Sequence, residues 1–584
     1  MNISNLNDIP PNSELETDLL ILGGGAAGIT IAREFFESSL NVMIAESGDV
    51  QQTDEHERLN EVVFESDAVP ETWVSRRRDY HGHQAEKWSA AVQRFGVRCR
   101  GLGGSTAAWA GKSAPFAAHD YLERDWLPVS GWPFGPQELD PYIRRAEKRL
   151  NLGAGAYGDD FWDRYSGASQ RPDIESSVFS SFLWQFARSR VNPVDMMRMG
   201  PEFVSERQDN VRVLVNATAI NVRPVELESS SLVEVDLRGL GGGAAIVKTK
   251  KVVIACGAIE NARLLLASQS KSPAGLGNAH DQVGRYLMDH MNAPVVRFDE
   301  KHVKSIAHQF GFFGLKSDNR VDMYMHGLGL NLPIQKQEKL NNAGAYCVAE
   351  RAEDDPWGSL ASILKGESKK PLRDLISVIK APGMMFTGAG RLFLQSERVP
   401  ISLRNAIVNI MVKLMPNFVV EEYQTQGVPH KLVSCGFHAI VEQEPLASNR
   451  VMLSDKKNEL GQYLPMVNWE PGERPVRTLA RMGELIQAQF KSSGLPEPHL
   501  EDWIVAGDLS AAPIIDTAHT SGTTRMSRDP RAGVVDENCK VHNCHDVYVA
   551  GGSVLPTCGH ANPTLMIVSL AIRLADHLKH ELQN

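Results

Sequence analysis

The sequence predicts an α/β protein in which a discontinuous Rossmann-like domain is interleaved with an α+β domain, a mixed sheet flanked by helices. Three observations predict it. Near the N-terminus a glycine-rich turn joins a short apolar run to a helical pattern, and a second apolar run follows, the order of a β-α-β unit. The last 45 residues return to the same grammar of apolar strand, glycine turn and helix. From about 290 to 515 the pattern changes to longer mixed strands and helices, a second domain lying inside the first.

Taken in order, Asp18 to Leu22 is an apolar run ending at Gly23-Gly-Gly25-Ala-Ala-Gly28, and Ile29 to Phe36 has helical spacing. Asn41-Val-Met-Ile-Ala45 is the second buried-strand candidate. Residues 52–95 are charged and aromatic, with Arg76, Arg77, Arg78, Tyr80, His81 and His83, and read as a lid or excursion. After a second glycine cluster, Gly101-Leu-Gly-Gly-Ser-Thr106, a helix is expected from near Pro136 through Leu139, Tyr142, Ile143 and Ala146. Alternating strands fill 210–255 around the hairpin turn Gly239 to Gly243, and the run from Cys256 to Leu266 passes from strand into helix. These elements place the first domain at 15–50, 95–130, 205–285 and 535–584, and the second at 131–204 and 286–534.

One stretch near 365–415 stands apart. Between Lys365 and Lys413 there are nine basic and three acidic residues, a local +6 in a chain of net −10, and Leu403, Ile407, Ile410, Met411 and Leu414 fall on one helical face. Solvated helices packed on the domain, a lid, or a surface docking a partner or a membrane all fit this pattern.

With 42% hydrophobic and 23% charged residues, the 584-residue chain has a globular composition, which excludes disordered, collagenous and disulfide-scaffold classes. The net charge of −10 argues against nucleic acid as a partner. Seven scattered cysteines without a Cys-x-x-Cys pair indicate neither a metal site nor a disulfide framework. Reduced thiols, a polar and acidic start, and the lack of an apolar stretch of about 18 residues read as a cytoplasmic protein with no transmembrane segment.

The chemistry lies at the two ends of the chain. A Gly-x-Gly-x-x-Gly turn between strand and helix lets backbone N–H groups approach a pyrophosphate, so Gly23, Gly25, Ala26, Ala27 and Gly28 are cofactor-binding candidates. Glu46, 18 residues beyond Gly28, stands where a carboxylate accepts hydrogen bonds from an adenosine ribose, with Ser47 beside it. Val547-Tyr-Val-Ala-Gly-Gly-Ser553 brings a strand ending in Gly551 and Gly552 back to the first domain, as a long cofactor anchored at both ends requires. No second dinucleotide turn is present, so the substrate should meet a flavin directly. Oxidising an alcohol there needs a group to take the hydroxyl proton while hydride leaves carbon for N5, and a histidine suits that at neutral pH. His519, in His519-Thr-Ser-Gly522-Thr523, and Asn562, in His560-Ala-Asn562-Pro563-Thr564, flank the return strand. His560 competes for the role of base.

Together these blocks resemble the glucose-methanol-choline (GMC) oxidoreductase family over nearly the whole chain. The resemblance rests also on Gly103-Gly-Ser-Thr106, Cys256-Gly-Ala-Ile-Glu260, Val283-Gly-Arg-Tyr-Leu-Met-Asp-His290 and Asn449-Arg-Val-Met-Leu453. It implies FAD as cofactor and a catalytic pair of His519 and Asn562, 43 residues apart, in place of His560. It adds Gly103, Gly104, Ser105, Ala107, Ala108 and Trp109 to the cofactor candidates, with Ala219, Cys256 and Gly257, and Asn562, Pro563 and Thr564 from the tail. The tail and the Gly257 to Arg263 run are most similar to the pyranose oxidase, glycoside oxidase and sugar dehydrogenase branch, which implies oxidation of a CH–OH group of a sugar, glycoside or polyol. In that branch a histidine sometimes attaches FAD covalently; Ala108 stands in its place, so noncovalent FAD is expected.

The resemblance also makes Glu442 and Gln443 substrate candidates beside His519 and Asn562, against a reading as solvated strand ends. The Arg76 to His83 run reads either as surface charge or as lining for a sugar pocket. The reduced flavin would pass electrons to O2 or to a carrier such as a quinone or cytochrome. The alternatives are a redox-neutral lyase of the same fold, an oxidoreductase acting on a non-carbohydrate alcohol, and, at 365–415, a peripheral membrane or protein contact.

Overall fold

A computed structural model describes residues 2–583, apart from 66–70, 83–84, 86, 154, 166–170, 192–194, 207, 227–230, 271, 318–319, 352–355, 366–367, 369, 381–398 and 415–431. His83 of the excursion and Lys369, Arg391 and Arg398 of the basic stretch lie outside the described residues.

The first sheet runs in the order Asn2–Asn5, Val211–Val215, Val42–Ala45, Ser13–Leu22, Ala244–Ile254, Ser231–Arg238 and Thr218–Glu226. Its first five strands are parallel. Their apolar runs are buried on both faces, as Leu19 to Leu22 and Val252 to Ile254 illustrate, because helices cover both sides of a parallel sheet. Ala244–Ile254 divides its free edge: residues 244–249 pair antiparallel with Ser231–Arg238, and 252–254 pair parallel with Val547–Val549. The C-terminal strand thus enters the sheet that the N-terminal strands begin.

Helices Ala26–Glu34 and Thr564–Gln583 pack together on this sheet, and Pro136–Arg149 packs on Thr564–Gln583. The last helix corrects the expectation that 131–204 lies wholly in the second domain. Leu139 and Ala146 enter the core of the first sheet, and Arg145 and Arg149 bond Glu34.

The second sheet, in the order His499–Leu500, Met291–Phe298, Leu432–Val441, Ala343–Arg351, Arg320–Leu330, Phe179–Phe186 and Lys112–Ser113, was expected to be mixed. Its pairs among the described residues are all antiparallel. Helix Glu473–Ser492 covers it with Leu479, Met482, Ile486 and Phe490, one stripe at helical spacing against Val295 and Phe437. A small third sheet joins Arg450–Lys457, Tyr463–Asn468 and Val63–Phe64, so the excursion at 52–95 is partly built into the fold.

Candidate active site

A cavity of about 350 Å³ is lined by the ends of first-sheet strands (Leu22, Ala45, Ala255) and by Trp184, Tyr346 and Ile440 of the second sheet. Three helices begin at it. Ala26–Glu34 starts after Gly25 and Ala258–Ala267 after Gly257, both without a side-chain cap, and Thr564–Gln583 starts after Pro563. Free N–H groups at helix starts are ready ligands for phosphate. Gly257 and Gly551 have φ of +88° and +108° with nothing within 4 Å of where a Cβ would stand, so each leaves open space in the cavity wall. Such a wall fits a phosphate-bearing dinucleotide.

Of the expected cofactor residues, Gly23, Gly25, Ala26, Ala27, Glu46 and Ser47 line the cavity, as do Gly104, Ser105, Ala108, Trp109, Ala219, Cys256 and Gly257. Gly551, Gly552, Asn562, Pro563 and Thr564 line it from the tail. Gly28 and Gly103 do not. A Cβ on Gly28 would stand 2.0 Å from the Gly23 carbonyl oxygen, and one on Gly103 2.6 Å from the Gly200 nitrogen, so both serve close packing. Ala107 is exposed at the end of the short helix Gly104–Ala107.

Glu46 lines the cavity where the ribose role places it, and it is also bonded within the fold. Its carboxylate accepts the N–H groups of Gly24 and Gly48 at 2.7 Å and of Gly101 at 3.1 Å, tying three loops together at the cavity edge. Burial pushes its pKa up against these bonds. Beside it lies a group that was not among the cofactor candidates, although Glu260 and Arg263 end two of the motifs: Glu260 ringed by Arg98, Arg100 and Arg263, all four lining the cavity. Burial would raise the Glu260 pKa, yet the guanidiniums of Arg263, Arg100 and Arg98 hold it down at about 2. Three cations around one anion leave this wall positive, which suits phosphate.

The catalytic candidates meet at the other part of the wall. The segment 517–526 is held on both sides by backbone bonds: Thr517 N–H to the His290 carbonyl and Ser521 to Met288, and then Gly522, Thr524 and Met526 to Gly552, Ser553 and Val554. That strap carries His519 to Asn562, whose Nδ2 lies 3.1 Å from His519 Nε2. Asp289 fixes the strap, accepting the N–H groups of His519 at 2.9 Å and Thr517 at 3.2 Å.

The partners of His519 determine its tautomer. His290 Nε2 lies 3.1 Å from the Cys558 carbonyl oxygen, an acceptor only, so Nε2 carries the His290 proton. Burial drives the His290 pKa down to about 4, so the ring is neutral and its Nδ1 is a lone pair. His519 Nδ1 lies 2.9 Å from that Nδ1 and 2.8 Å from Thr517 Oγ1, and therefore bears the proton between them. His519 Nε2 is left as a lone pair beside Asn562. Burial, then His290, His81 and Lys112, hold the His519 pKa well below its ordinary value, against the pull of Asp516.

His560 stands outside this group. Its Nδ1 bonds Asn342 Oδ1 at 3.0 Å, its ring packs on Phe182 and Trp184, and burial lowers its pKa to about 3. Glu442 and Gln443 are also off the cavity wall, and both are fully buried, so neither the substrate reading nor the solvated strand-end reading holds. Arg124 Nη1 and Nη2 donate to the two Glu442 oxygens at 2.7 and 2.6 Å. Gln443 accepts the Asp289 N–H at 2.9 Å and the Trp469 indole N–H at 2.8 Å, and donates to the Glu470 carbonyl at 2.6 Å. They hold the second sheet to its surroundings.

The excursion contributes what its charge concealed. On helix Glu71–His81, Arg77 is buried, donating to Asp516 at 2.7 Å and to the Gln93 and Gly96 carbonyls, while Tyr80 and His81 line the cavity. Arg78 is exposed. Lys112, which no motif marked, lines the cavity with its Nζ 4.3 Å above the Tyr346 ring, and burial lowers its pKa to about 8. The single sequence signal toward the missed Asp289 and His290 was their place at the end of the Val283 to His290 block.

Comparison with known proteins agrees with this geometry. Residues 445–571 match the family described as GMC oxidoreductase. Paromamine 6'-oxidase of Streptomyces fradiae is 22% identical, covering 96% of this chain and 90% of that protein. The fructose dehydrogenase large subunit of Gluconobacter japonicus is 20% identical over 98% of this chain and 99% of its own. Among solved structures, pyridoxine 4-oxidase from Mesorbium loti superposes with a TM-score of 0.57 at 16% identity, over 97% of this chain and 99% of that one. Residues 445–571 thus carry a GMC oxidoreductase C-terminal region, and with an end-to-end likeness to oxidases and dehydrogenases the chain is an oxidoreductase acting on CH–OH donors, with FAD as the cofactor its cavity implies.

Proposed function

We propose that the chain oxidises a CH–OH group of a sugar, glycoside or polyol-like substrate, with His519 as the general base and Asn562 as the group that orients the hydroxyl. The observation that carries this is the His519 Nε2 lone pair, placed 3.1 Å from the Asn562 amide on the wall of the cofactor cavity. A hydroxyl entering there accepts an N–H from Asn562 and gives its proton to Nε2, while Thr517 and His290 keep the other ring nitrogen protonated. FAD, when bound, supplies the hydride acceptor. The low pKa of His519 keeps Nε2 free of a proton at neutral pH.

In this reading the first-helix turn at Gly23 to Ala27 and the Arg98, Arg100 and Arg263 wall hold the pyrophosphate, and the tail glycines border the flavin. FAD is held noncovalently: Ala108 offers no nucleophile, and burial pushes the thiols of Cys99 and Cys256 on the cavity wall up to about 12. The carbohydrate class is supported by the names of relatives, paromamine 6'-oxidase and fructose dehydrogenase among them. Those names divide between oxidase and dehydrogenase, so O2 and an electron carrier both enter the test. Seven free cysteines support a cytoplasmic setting.

The experiment is anaerobic mixing of the holoenzyme with monosaccharides, glycosides, polyols and pyridoxine, followed by air. Bleaching of the flavin band by a carbohydrate is expected. A band bleached only by a non-carbohydrate alcohol overturns the substrate class, and a band that no alcohol bleaches overturns the oxidation. The speed at which air restores the colour separates an oxidase from a dehydrogenase.

A further inference from the structure

Away from the cavity, exposed apolar side chains gather on the basic stretch. On helix Pro371–Lys380, Leu372, Leu375, Ile376 and Ile379 are 77%, 48%, 50% and 68% exposed. Their spacing of i, i+3, i+4 and i+7 sets them in one stripe. Helix Ile401–Leu414 turns Arg404, Val408 and Val412 inward, against Phe312–Ser317 and Arg320–Leu330. The same helix leaves Leu403, Ile410 and Leu414 51%, 56% and 71% exposed, so part of the apolar face legible in the sequence points outward. Lys370 and Arg373 are exposed at the first of these helices and Lys413 on the second. The acidic side chain of the two helices, Asp374, is engaged by the hydroxyls of Ser359 at 3.3 Å and Ser368 at 2.5 Å.

We propose that these two helices dock the protein on an anionic phospholipid surface, with Leu372, Leu375, Ile376 and Ile379 entering the headgroup–acyl boundary and Lys370, Arg373 and Lys413 meeting the phosphates. Charge selects this occupant. A basic amphipathic stripe on a chain of net −10 is complementary to anionic headgroups, which reward apolar burial and positive flanks together. A second copy in a two-fold contact would lay this basic surface against itself. The core of a protein interface is depleted of lysine, whereas lysines border these stripes. No helix among the described residues is long and apolar enough to cross a membrane, so the contact is one of surface.

The test is co-sedimentation of the full-length holoenzyme with vesicles of phosphatidylcholine alone or mixed with phosphatidylglycerol. Binding to the anionic vesicles, released by high salt, is expected. Lys370→Glu/Arg373→Glu/Lys413→Glu and Leu372→Ser/Ile376→Ser/Ile379→Ser should each weaken it by about tenfold or more. The charge variant changes exposed side chains, and unchanged circular dichroism and turnover of a dissolved substrate verify its fold. Equal sedimentation of wild type and charge variant, or equal binding to neutral vesicles, overturns the proposal. A concentration-dependent dimer that the apolar variant abolishes, without vesicle binding, assigns the surface to a second copy and also overturns it.

Discussion

Arg124–Glu442 and His519–Asn562 are two buried or half-buried polar pairs, and they differ in what is left over. In the first, a planar guanidinium meets a carboxylate through two bonds of 2.7 and 2.6 Å, both side chains are at most 1% exposed, and Asn342 N–H reaches the same carboxylate. Both carboxylate oxygens are taken up. In the second, His519 has its Nδ1 proton engaged by Thr517 and His290, while Nε2 faces the cavity with only an amide beside it. A carboxylate with both oxygens committed makes a structural clamp; a lone pair met only by an amide N–H on a cavity wall makes a site for chemistry.

Breaking the two pairs should separate rate from stability. His519→Ala is expected to lower the rate of flavin reduction by about 10²–10⁴-fold, the usual worth of a general base, while leaving the denaturant midpoint nearly unchanged. Stopped-flow reduction and urea unfolding measure the two, and a reduction rate like wild type would sink the assignment. Arg124→Met should do the reverse. Leaving Glu442 buried without its cation costs about 3–5 kcal/mol, visible as a lower urea midpoint, with reduction per folded molecule close to wild type.

The smallest effect sharpens the comparison through pH. His519 acts as a base only when neutral, so activity falls as pH drops through its pKa, and burial with His290, His81 and Lys112 places that limb below the ordinary histidine range. Lys112→Met removes one of those charges, raises the His519 pKa and moves the acid limb of kcat/KM to higher pH. A limb that stays in place, or moves down, would mean that the Lys112 charge is not felt at the base.

Much of the cofactor site was legible because it is local. Gly23 to Ala27, Gly257 and Gly551 sit where a strand turns into a helix, and the turn itself requires residues of that kind within a few positions. Glu46 was located by the same logic, but its bonding was not, since the N–H groups it accepts include that of Gly101, 55 residues away. Glu442 and Arg77 show the limit most clearly. Each reads as exposed or ligand-facing charge, and each is neutralised by a residue more than 300 positions distant, Arg124 and Asp516.

The sequence by itself determined the class of fold, the dinucleotide turn and the His519–Asn562 candidates, because periodicity, turn chemistry and short motifs are properties of neighbouring residues. Only the tertiary structure decided which polar groups are spent and which remain free: that His290 and Thr517 hold the proton on one side of His519, that Lys112, Tyr80 and His81 reach the cavity, and that the stripe from Leu372 to Ile379 faces outward. A side chain's partners and burial are set by segments that meet only when the chain is folded, and no local pattern records them.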